Sequence, residues 1–494
     1  MKLRELLAGA AVAEWVANPE VEVSGLAYSS REVRAGAAFF CVPGARSDGH
    51  DFAAAALDAG ATALVVERRL DLDVTQAVVA DARAAMAPAA VAFFGDPTAE
   101  LRVAGITGTN GKTTTAFLLR HILERTGTPT GQLGTVKRVV GGEESEVERT
   151  TPEAIDLQRT FREMLDAGDR ACAMDVSSHA LALGRAQGVR FAAAAFTNLT
   201  QDHLDFHPDM EHYFAAKALL FSGTPEVPGT SVVNIDDEHG RRLAAELARR
   251  SQPLLTVSAA GAEADFVATE VGFDASGSAF TLRSPGGEHA VRLPLPGHFN
   301  TENALIAIAT ASALGADEGN AAAALADADL VPGRMEPVDE GQPFAVLVDY
   351  AHTPDSLENV LSAARRLGEG RLISVFGAGG DRDRDKRPLM GAAAAILSDI
   401  AFVTSDNPRS EEPAAIVAQV EAGMRGQDAR ARVEIEVDRR AAIAAALAEA
   451  RPGDIVVIAG KGHEQGQEFE EGRKIPFDDR AVAREELRAL RAAT

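Results

Sequence analysis

Aromatic residues with a polar handle are scarce, with one tryptophan and three tyrosines in 494 residues. A surface that stacks successive nucleobases is therefore not supported. Only two cysteines occur, Cys41 and Cys172, each inside an apolar, strand-like run. Such usage reads as two buried thiols in a reducing cytosol rather than a disulfide or a metal site. Basic residues are outnumbered, 49 Lys and Arg against 73 Asp and Glu, for a net charge of −24. The chain as a whole is no partner for DNA or an anionic membrane, although a local cationic pocket can still hold phosphates. Long apolar runs are missing too. The most apolar stretches, 84–95 and 304–315, fall short of the roughly 20 residues that span a bilayer. Charges interrupt the apolar part of the N-terminal MKLRELLAGAAVAEW, which argues against a signal peptide. No repeat of solenoid period is visible. The expectation is a cytoplasmic monomer without nucleic-acid partners or membrane insertion.

What is present is ordinary globular composition, 46% hydrophobic and 25% charged. At roughly 100–200 residues per domain, the length suggests about three domains. Composition shifts place them at 1–98, 99–331 and 332–494. An apolar strand over 102–106 runs into a Gly/Thr-rich loop and then a helix. Phe117, Leu118, Ile122 and Leu123 lie on one side of that helix, and Gly127 is its C-terminal cap. Further strands are expected at 171–176, 191–197, 345–350, 372–376, 400–404 and 455–459. Strands alternating with helices predict an α/β protein. Its parts are a smaller N-terminal α/β domain, a central P-loop-type parallel-sheet ATPase domain and a C-terminal Rossmann-like α/β domain. Open parallel sheets bind ligands at the carboxyl ends of their strands, so the chemistry is expected in the loops that follow them.

The strongest local signal is Gly105-Ile106-Thr107-Gly108-Thr109-Asn110-Gly111-Lys112-Thr113-Thr114-Thr115. Glycines let several backbone N–H groups converge on one anion. Lys112 adds positive charge, Thr113 offers a hydroxyl to Mg²⁺, and the helix N-terminus contributes its dipole. The spacing departs from the usual phosphate loop, because Ile106 stands where a glycine is expected. ATP binding is the reading, through Gly108, Thr109, Asn110, Gly111, Lys112, Thr113 and Thr114. Two polar loops follow the next strands: Asp175-Val176-Ser177-Ser178-His179 and Thr197-Asn198-Leu199-Thr200-Gln201-Asp202-His203-Leu204-Asp205. Carboxylate, imidazole and hydroxyl groups beside a phosphate loop suit Mg²⁺. Several other residues have plainer readings by propensity. Lys217 reads as a solvated helical lysine, Asn300 as a helix cap and Gly333-Arg334 as a linker turn. The segment 406–409 reads as a turn, and 381–387 as a charged loop.

Taken together, these motifs resemble those of the Mur ligases and their relatives, the folylpolyglutamate synthases, across all three domains. Those enzymes use ATP to join a carboxylate to an amine through an acyl phosphate. The resemblance implies catalytic roles for Lys112, Lys217 and His203, with Lys217 carbamylated. It implies a metal site made of Thr113, Asp175, His203 and carbamylated Lys217. The family usually has Glu where Asp175 stands, so the metal would sit closer or bind through water. Asn300 would lie near the adenine, Arg334 near the phosphates and Asp349 near the ribose.

In the first domain, Tyr28, Ser30 and the loop Ala45-Arg46-Ser47 match positions that touch a UDP-sugar. Thr150, Thr151, Ser177 and Arg185 would hold its muramyl-peptide end. Arg149 and Leu183 replace residues common in relatives, so no role is carried to them. In the third domain, Asp406-Asn407-Pro408-Arg409 matches ligases that add meso-diaminopimelate. A guanidinium pairs bidentately with the distal carboxylate that this amino acid has and lysine lacks. Arg382, Gly460 and Glu464 complete that match. The implied activity joins meso-diaminopimelate to the D-glutamate γ-carboxylate of UDP-N-acetylmuramoyl-L-alanyl-D-glutamate, with ATP and Mg²⁺. The alternatives are addition of L-lysine or L-ornithine, a folylpolyglutamate synthase, and a catalytically silent ATP-binding scaffold.

Overall fold

The computed structural model describes residues 1–44, 47–147, 149–223, 226–274, 276–425 and 429–493. Ala45 and Arg46 of the expected UDP-sugar loop lie outside the described residues. The chain forms two compact units, one of residues 1–107, 127–195 and 216–231, the other of 108–126, 196–215 and 232–494.

The first unit opens with a five-stranded sheet. Thr75–Val79, Ala63–Val66, Ala37–Phe40 and Gly25–Ala27 run parallel, and Val12–Val16 closes one edge antiparallel to Thr75–Val79. Ala38 and Phe40 face one apolar cluster while Phe39 and Cys41 face another. Both faces are covered, which is why these strands read as continuous apolar runs. Further along the same unit, Ala171–Asp175 lies parallel between Arg102–Thr107 and Thr130–Leu133. The small strands Arg138–Val140 and Glu143–Ser145 continue from Thr130–Leu133 as an antiparallel meander. Gly105 has no room for a side chain, since a Cβ would come within 2.6 Å of the Phe191 ring. Both cysteines are buried and free, and burial pushes the Cys41 thiol up to about 12.

In the second unit the helix Lys112–Arg125 packs on His298–Ala313. An antiparallel meander of Phe266–Asp274, Gly277–Ser284 and Gly287–Leu293 belongs to the same unit. Its C-terminal part is a six-stranded sheet in the order Glu336–Pro337, Ala345–Asp349, Ile455–Ala459, Leu372–Phe376, Ile400–Val403 and Arg432–Ile435. All neighbours are parallel except the first pair. Val346, Val348, Ile373 and Val375 point into one cluster, and Leu347, Leu372 and Phe376 into the other. Observed strand ends lie within one residue of those expected from the apolar runs. Among the described residues no helix is long and apolar enough to cross a membrane.

Candidate active site

The phosphate loop follows strand Arg102–Thr107, and Gly111 caps the helix that begins at Lys112. Gly108 and Gly111 take positive φ of 151° and 85°. A Cβ would lie 1.8 Å from Thr197 Oγ1 at the first and 2.3 Å from Asn303 Oδ1 at the second. Only glycine satisfies both constraints. Thr197 Oγ1 donates to Asn110 O at 2.6 Å, and Asn110 N–H donates to Asn198 Oδ1 at 2.9 Å. Thr109 Oγ1 donates to Thr200 O at 3.1 Å. The Lys112 ammonium donates to the loop's own carbonyls, Gly108 O at 2.9 Å and Thr109 O at 2.8 Å.

Beside the loop lies a cavity of about 200 Å³. Asn110, Gly111 and Thr114 line one part of it, with Arg334 and Asp349 also in its wall. Thr113 is buried. Asn300 is not in the lining. It is buried, donating to Pro296 O at 2.9 Å and accepting from Asn303 Nδ2 at 3.2 Å, and Asn303 is the residue that reaches the cavity. Gly297, not Asn300, is the N-cap of its helix. The Asp349 carboxylate accepts from Met335 N–H and Ala351 N–H at 2.7 and 2.8 Å, while burial raises its pKa. Arg334 lies over the Tyr350 ring at 4.6 Å. Lining residues without a signal in the sequence include Glu302, Phe273 and Arg366. Glu302 is pushed up to about 8 by burial and by Asp236, Asp355 and Asp237. Arg366 covers Phe273 at 4.3 Å.

His203 also belongs to the second unit and has a left-handed backbone, φ 58°. Asp202 accepts the His203 N–H at 2.9 Å, and its carboxylate lies 3.5 Å from His203 Nε2 and 3.8 Å from His352 Nε2. The buried Lys386 ammonium donates to the same carboxylate at 3.2 Å. Burial opposes ionisation of Asp202, but Lys386, His203 and His352 together hold it below the usual carboxylate range. His352 donates its Nδ1–H to Tyr350 O at 2.7 Å, and burial followed by Lys386 lowers its pKa.

In the first unit, Asp175 is fully buried at the end of its strand. Its Oδ2 accepts from Thr135 Oγ1 at 3.1 Å, and its backbone carbonyl accepts from Thr151 Oγ1 at 2.9 Å. Ser177 N–H donates to Thr151 Oγ1, and Thr150 Oγ1 lies 3.2 Å from Thr135 Oγ1. Tyr28 and Thr150 line a cavity of about 260 Å³, where Tyr28 OH donates to Asp156 at 2.6 Å. Ser30 sits in the turn Ser30–Glu32, outside that lining, although Glu32 is part of it. Arg185 is not in the lining either; its Nε lies 3.0 Å from Glu153.

Lys217 departs from the solvated reading, being only 1% exposed. On helix Met210–Ser222 it occupies the centre of a stripe formed by Tyr213, Phe214, Leu220 and Phe221, all buried. That spacing was visible as a helical apolar face. Asp175 and Lys217 belong to the first unit, Thr113 and His203 to the second. Among the described residues, no three His, Cys, Asp or Glu side chains are grouped to hold a metal ion.

The segment 406–409 is the centre of a wired cluster rather than a free turn. Arg409 has φ 52°, and its guanidinium donates to Glu468 Oε2 at 3.0 Å and Gly380 O at 2.7 Å. Asn407 Nδ2 donates to Glu464 at 2.9 Å, and Asn407 Oδ1 accepts from Lys461 Nζ at 2.9 Å. Lys461 is fully buried and also donates to Glu464 at 2.8 Å. Gly460 packs so tightly on Asp406 that a Cβ would come within 2.8 Å of its carboxylate. A Cβ on Gly379 would meet Arg409 Nη1 at 3.1 Å and Arg382 Cγ at 3.7 Å, so both arginines flank one glycine. Pro408 presents its carbonyl to Gly380. Beneath the cluster, Arg439, in a fully buried pair with Asp479, donates to Ala459 O and Ser405 O. Its remote partners, 40 residues apart, gave no sequence signal.

Three family matches cover most of the chain: Mur ligase family, catalytic domain, over residues 22–101; Mur ligase middle domain over 106–311; and Mur ligase, glutamate ligase domain, over 333–462. The UDP-N-acetylmuramoyl-L-alanyl-D-glutamate–2,6-diaminopimelate ligase of Streptomyces coelicolor is 49% identical, covering 96% of this chain and 94% of its own. The ligase of the same name from Syntrophomonas wolfei is 46% identical, covering 99% of both. A solved structure of a ligase of that name superposes with a TM-score of 0.69 at 32% identity, over 99% of both chains. The chain therefore belongs to the Mur ligase family and has its three-domain α/β fold.

Proposed function

We propose that this chain is an ATP-dependent, ADP-forming ligase of peptidoglycan precursor synthesis. It joins meso-diaminopimelate to the D-glutamate γ-carboxylate of UDP-N-acetylmuramoyl-L-alanyl-D-glutamate. The observation that carries the amino-acid choice is the cluster at 406–409, where Arg409 stands beside Arg382 on a buried framework of Asn407, Lys461 and Glu464. A guanidinium held in place pairs with the distal carboxylate of diaminopimelate. L-Lysine, which lacks the distal carboxylate, would leave without an acceptor the Arg409 donors that Glu468 and Gly380 O do not use.

ATP transfers its γ-phosphoryl group to the γ-carboxylate, giving an acyl phosphate and ADP. The diaminopimelate amine attacks the acyl carbon, the amide bond forms and phosphate leaves. Lys112, now resting on loop carbonyls, moves onto the phosphates and offsets the charge that develops there. Thr113 and Asp175 are hard oxygen donors of the kind Mg²⁺ takes together with phosphate and water. By the family resemblance Thr113, Asp175, His203 and carbamylated Lys217 would hold Mg²⁺, which would supply neutralisation of the phosphate charge. Carbamylation would turn the buried Lys217 ammonium into an anion, the charge that a divalent cation requires. Arg334, Asp349 and Asn303 bind the nucleotide, with Asn300 holding Asn303 in place. His352 has its pKa lowered first by burial and donates its Nδ1–H to Tyr350 O; its Nε2, 3.8 Å from the Asp202 carboxylate, is a candidate acceptor for the amine proton.

The test is ADP release with the UDP-dipeptide and, side by side, meso-diaminopimelate, L-lysine or L-ornithine. Turnover confined to meso-diaminopimelate is expected. Preference for lysine or ornithine reassigns the amino acid, and no turnover with any of them leaves the scaffold reading. Intact-mass measurement of Lys217 with and without CO₂ tests the carbamate separately.

A further inference from the structure

The nucleotide cavity contains an acid that its neighbours do not neutralise. Glu302 lies on the helix His298–Ala313 and shares the cavity wall with Asn110, Gly111 and Thr114 of the phosphate loop. Among the described residues its carboxyl has one charged partner, His298 Nε2 at 3.6 Å, and accepts no hydrogen bond. Three further carboxylates stand near it: Asp236 and Asp237, ahead of the helix Glu238–Arg249, and Asp355, in the first turn of Pro354–Arg365. Those three have donors of their own. Asp236 accepts from Ser258 Oγ and from the N–H groups of Ala259 and Ala260. Asp237 accepts from Leu199 and Gly240 N–H, and Asp355 from Asn110 Nδ2 at 2.7 Å. The other charged groups in the wall are Arg334, over the Tyr350 ring, Arg366, over Phe273, and Asp349, which accepts two backbone N–H groups. Burial, then Asp236, Asp355 and Asp237, push Glu302 up to about 8. A nucleoside polyphosphate entering the cavity brings more negative charge and favours the neutral carboxyl again.

A neutral carboxyl differs from a carboxylate in what it recognises. It offers one O–H donor and one C=O acceptor side by side, as the amide of Gln offers a donor and an acceptor. That pair matches the amino group of adenine and the ring nitrogen beside it. Guanine presents a carbonyl where adenine has its amino group, and its own N–H donors suit the two acceptors of a carboxylate instead. Phe273, Phe299 and Val360 supply apolar wall of the kind that a purine takes. We propose that Glu302 binds the nucleotide as the neutral acid and selects adenine over guanine, holding one proton for each nucleotide bound. This rests on the ATP reading given above. Below about pH 8 the proton is already in place; above it, binding draws one from solvent and affinity falls.

The test measures binding of ADP, GDP and IDP to the full-length protein and to Glu302→Gln and Glu302→Ala. Both substitutions put a good helix former at a position without a hydrogen-bond partner, so the helix is kept. The unmodified protein should favour ADP about tenfold or more. Glu302→Ala should lower ADP affinity about tenfold and leave GDP and IDP within about twofold. Glu302→Gln, a permanent copy of the neutral acid, should keep the preference for ADP. From about pH 7.5 to about pH 9 the unmodified protein should lose roughly tenfold in ADP affinity while Glu302→Gln stays level. The terminal phosphate of ADP is already ionised over that range, so the slope belongs to the protein. Glu302→Gln behaving like Glu302→Ala would make the carboxylate the working form and overturn the proposal. An unchanged ratio of ADP to GDP affinity in Glu302→Ala would overturn it, as would an equal pH slope in Glu302→Gln. Failure of the unmodified protein to bind any of the three would instead remove the ATP reading, and this one with it.

Discussion

The phosphate loop and the cluster at 406–409 meet charged ligands in opposite ways. In the loop the cation is held by backbone oxygens. Lys112 rests on the carbonyls of Gly108 and Thr109, contacts that a phosphate can replace at little cost. At 406–409 the cations are fixed, because Arg409 is tied to Glu468 and Gly380 O, and Lys461 is fully buried on Asn407 and Glu464. A triphosphate presents a dense charge in any Mur ligase, so backbone N–H groups and one lysine suffice. An amino acid that must be told from its close analogues needs donors already in position, since discrimination comes from groups left unpaired by the wrong ligand. Backbone contacts suit a cation that neutralises charge, and charged side-chain partners suit one that selects.

The largest effect should come from removing the loop cation. Lys112→Ala is expected to cost about a thousandfold in kcat while amino-acid affinity in a binding assay stays unchanged. A matching loss of amino-acid affinity would erase the distinction between the two regions. The framework of the rigid site should be the more sensitive to folding. Arg387 is fully buried, bound by Glu411 at 2.8 Å and by Gln419, and it donates to Gly379 O. Arg387→Ala should destabilise by about 3–5 kcal/mol in denaturant unfolding, because it strands Glu411 and the carbonyl. Next, Arg409→Ala should raise KM for diaminopimelate about tenfold to a hundredfold and leave KM for ATP unchanged. Equal shifts in both would refute its role.

The smallest effect concerns acid. Arg387 first, against opposing burial, holds Glu411 down to about 2 from 4.5. A depressed carboxylate pKa contributes stability that is present above the unfolded value and lost as pH falls through the folded one. Stability should therefore decline between pH 4.5 and about 2. Glu411→Gln should flatten that part of the profile in thermal unfolding against pH.

The strands at 102–106, 372–376 and 455–459 were readable because buried parallel strands are continuous apolar runs bounded by loop residues. The phosphate loop was readable because its glycines, lysine and threonine are consecutive. Lys217 could have been read as buried, since Tyr213, Phe214, Leu220 and Phe221 surround it at helical spacing. Asn300 was assigned to the nucleotide, but its amide is spent on Pro296 and Asn303, and Asn303 reaches the cavity instead. Three positions apart, the two asparagines share one helix face and hydrogen-bond to each other, and Asn303 is the one in the cavity wall.

Contiguous chemistry was thus legible before any fold was known: an acidic three-part α/β chain, its nucleotide loop, and the family to which its motifs point. Backbone hydrogen bonding and apolar periodicity act between near neighbours, so they leave local marks. The wiring of the sites left none. Asp202 with Lys386 lies across 184 residues, Arg83 with Glu153 across 70, and Asn407 with Lys461 across 54. Such pairs are made by the packing that brings distant strand ends together, and burial then gives each charge its partner and its strength.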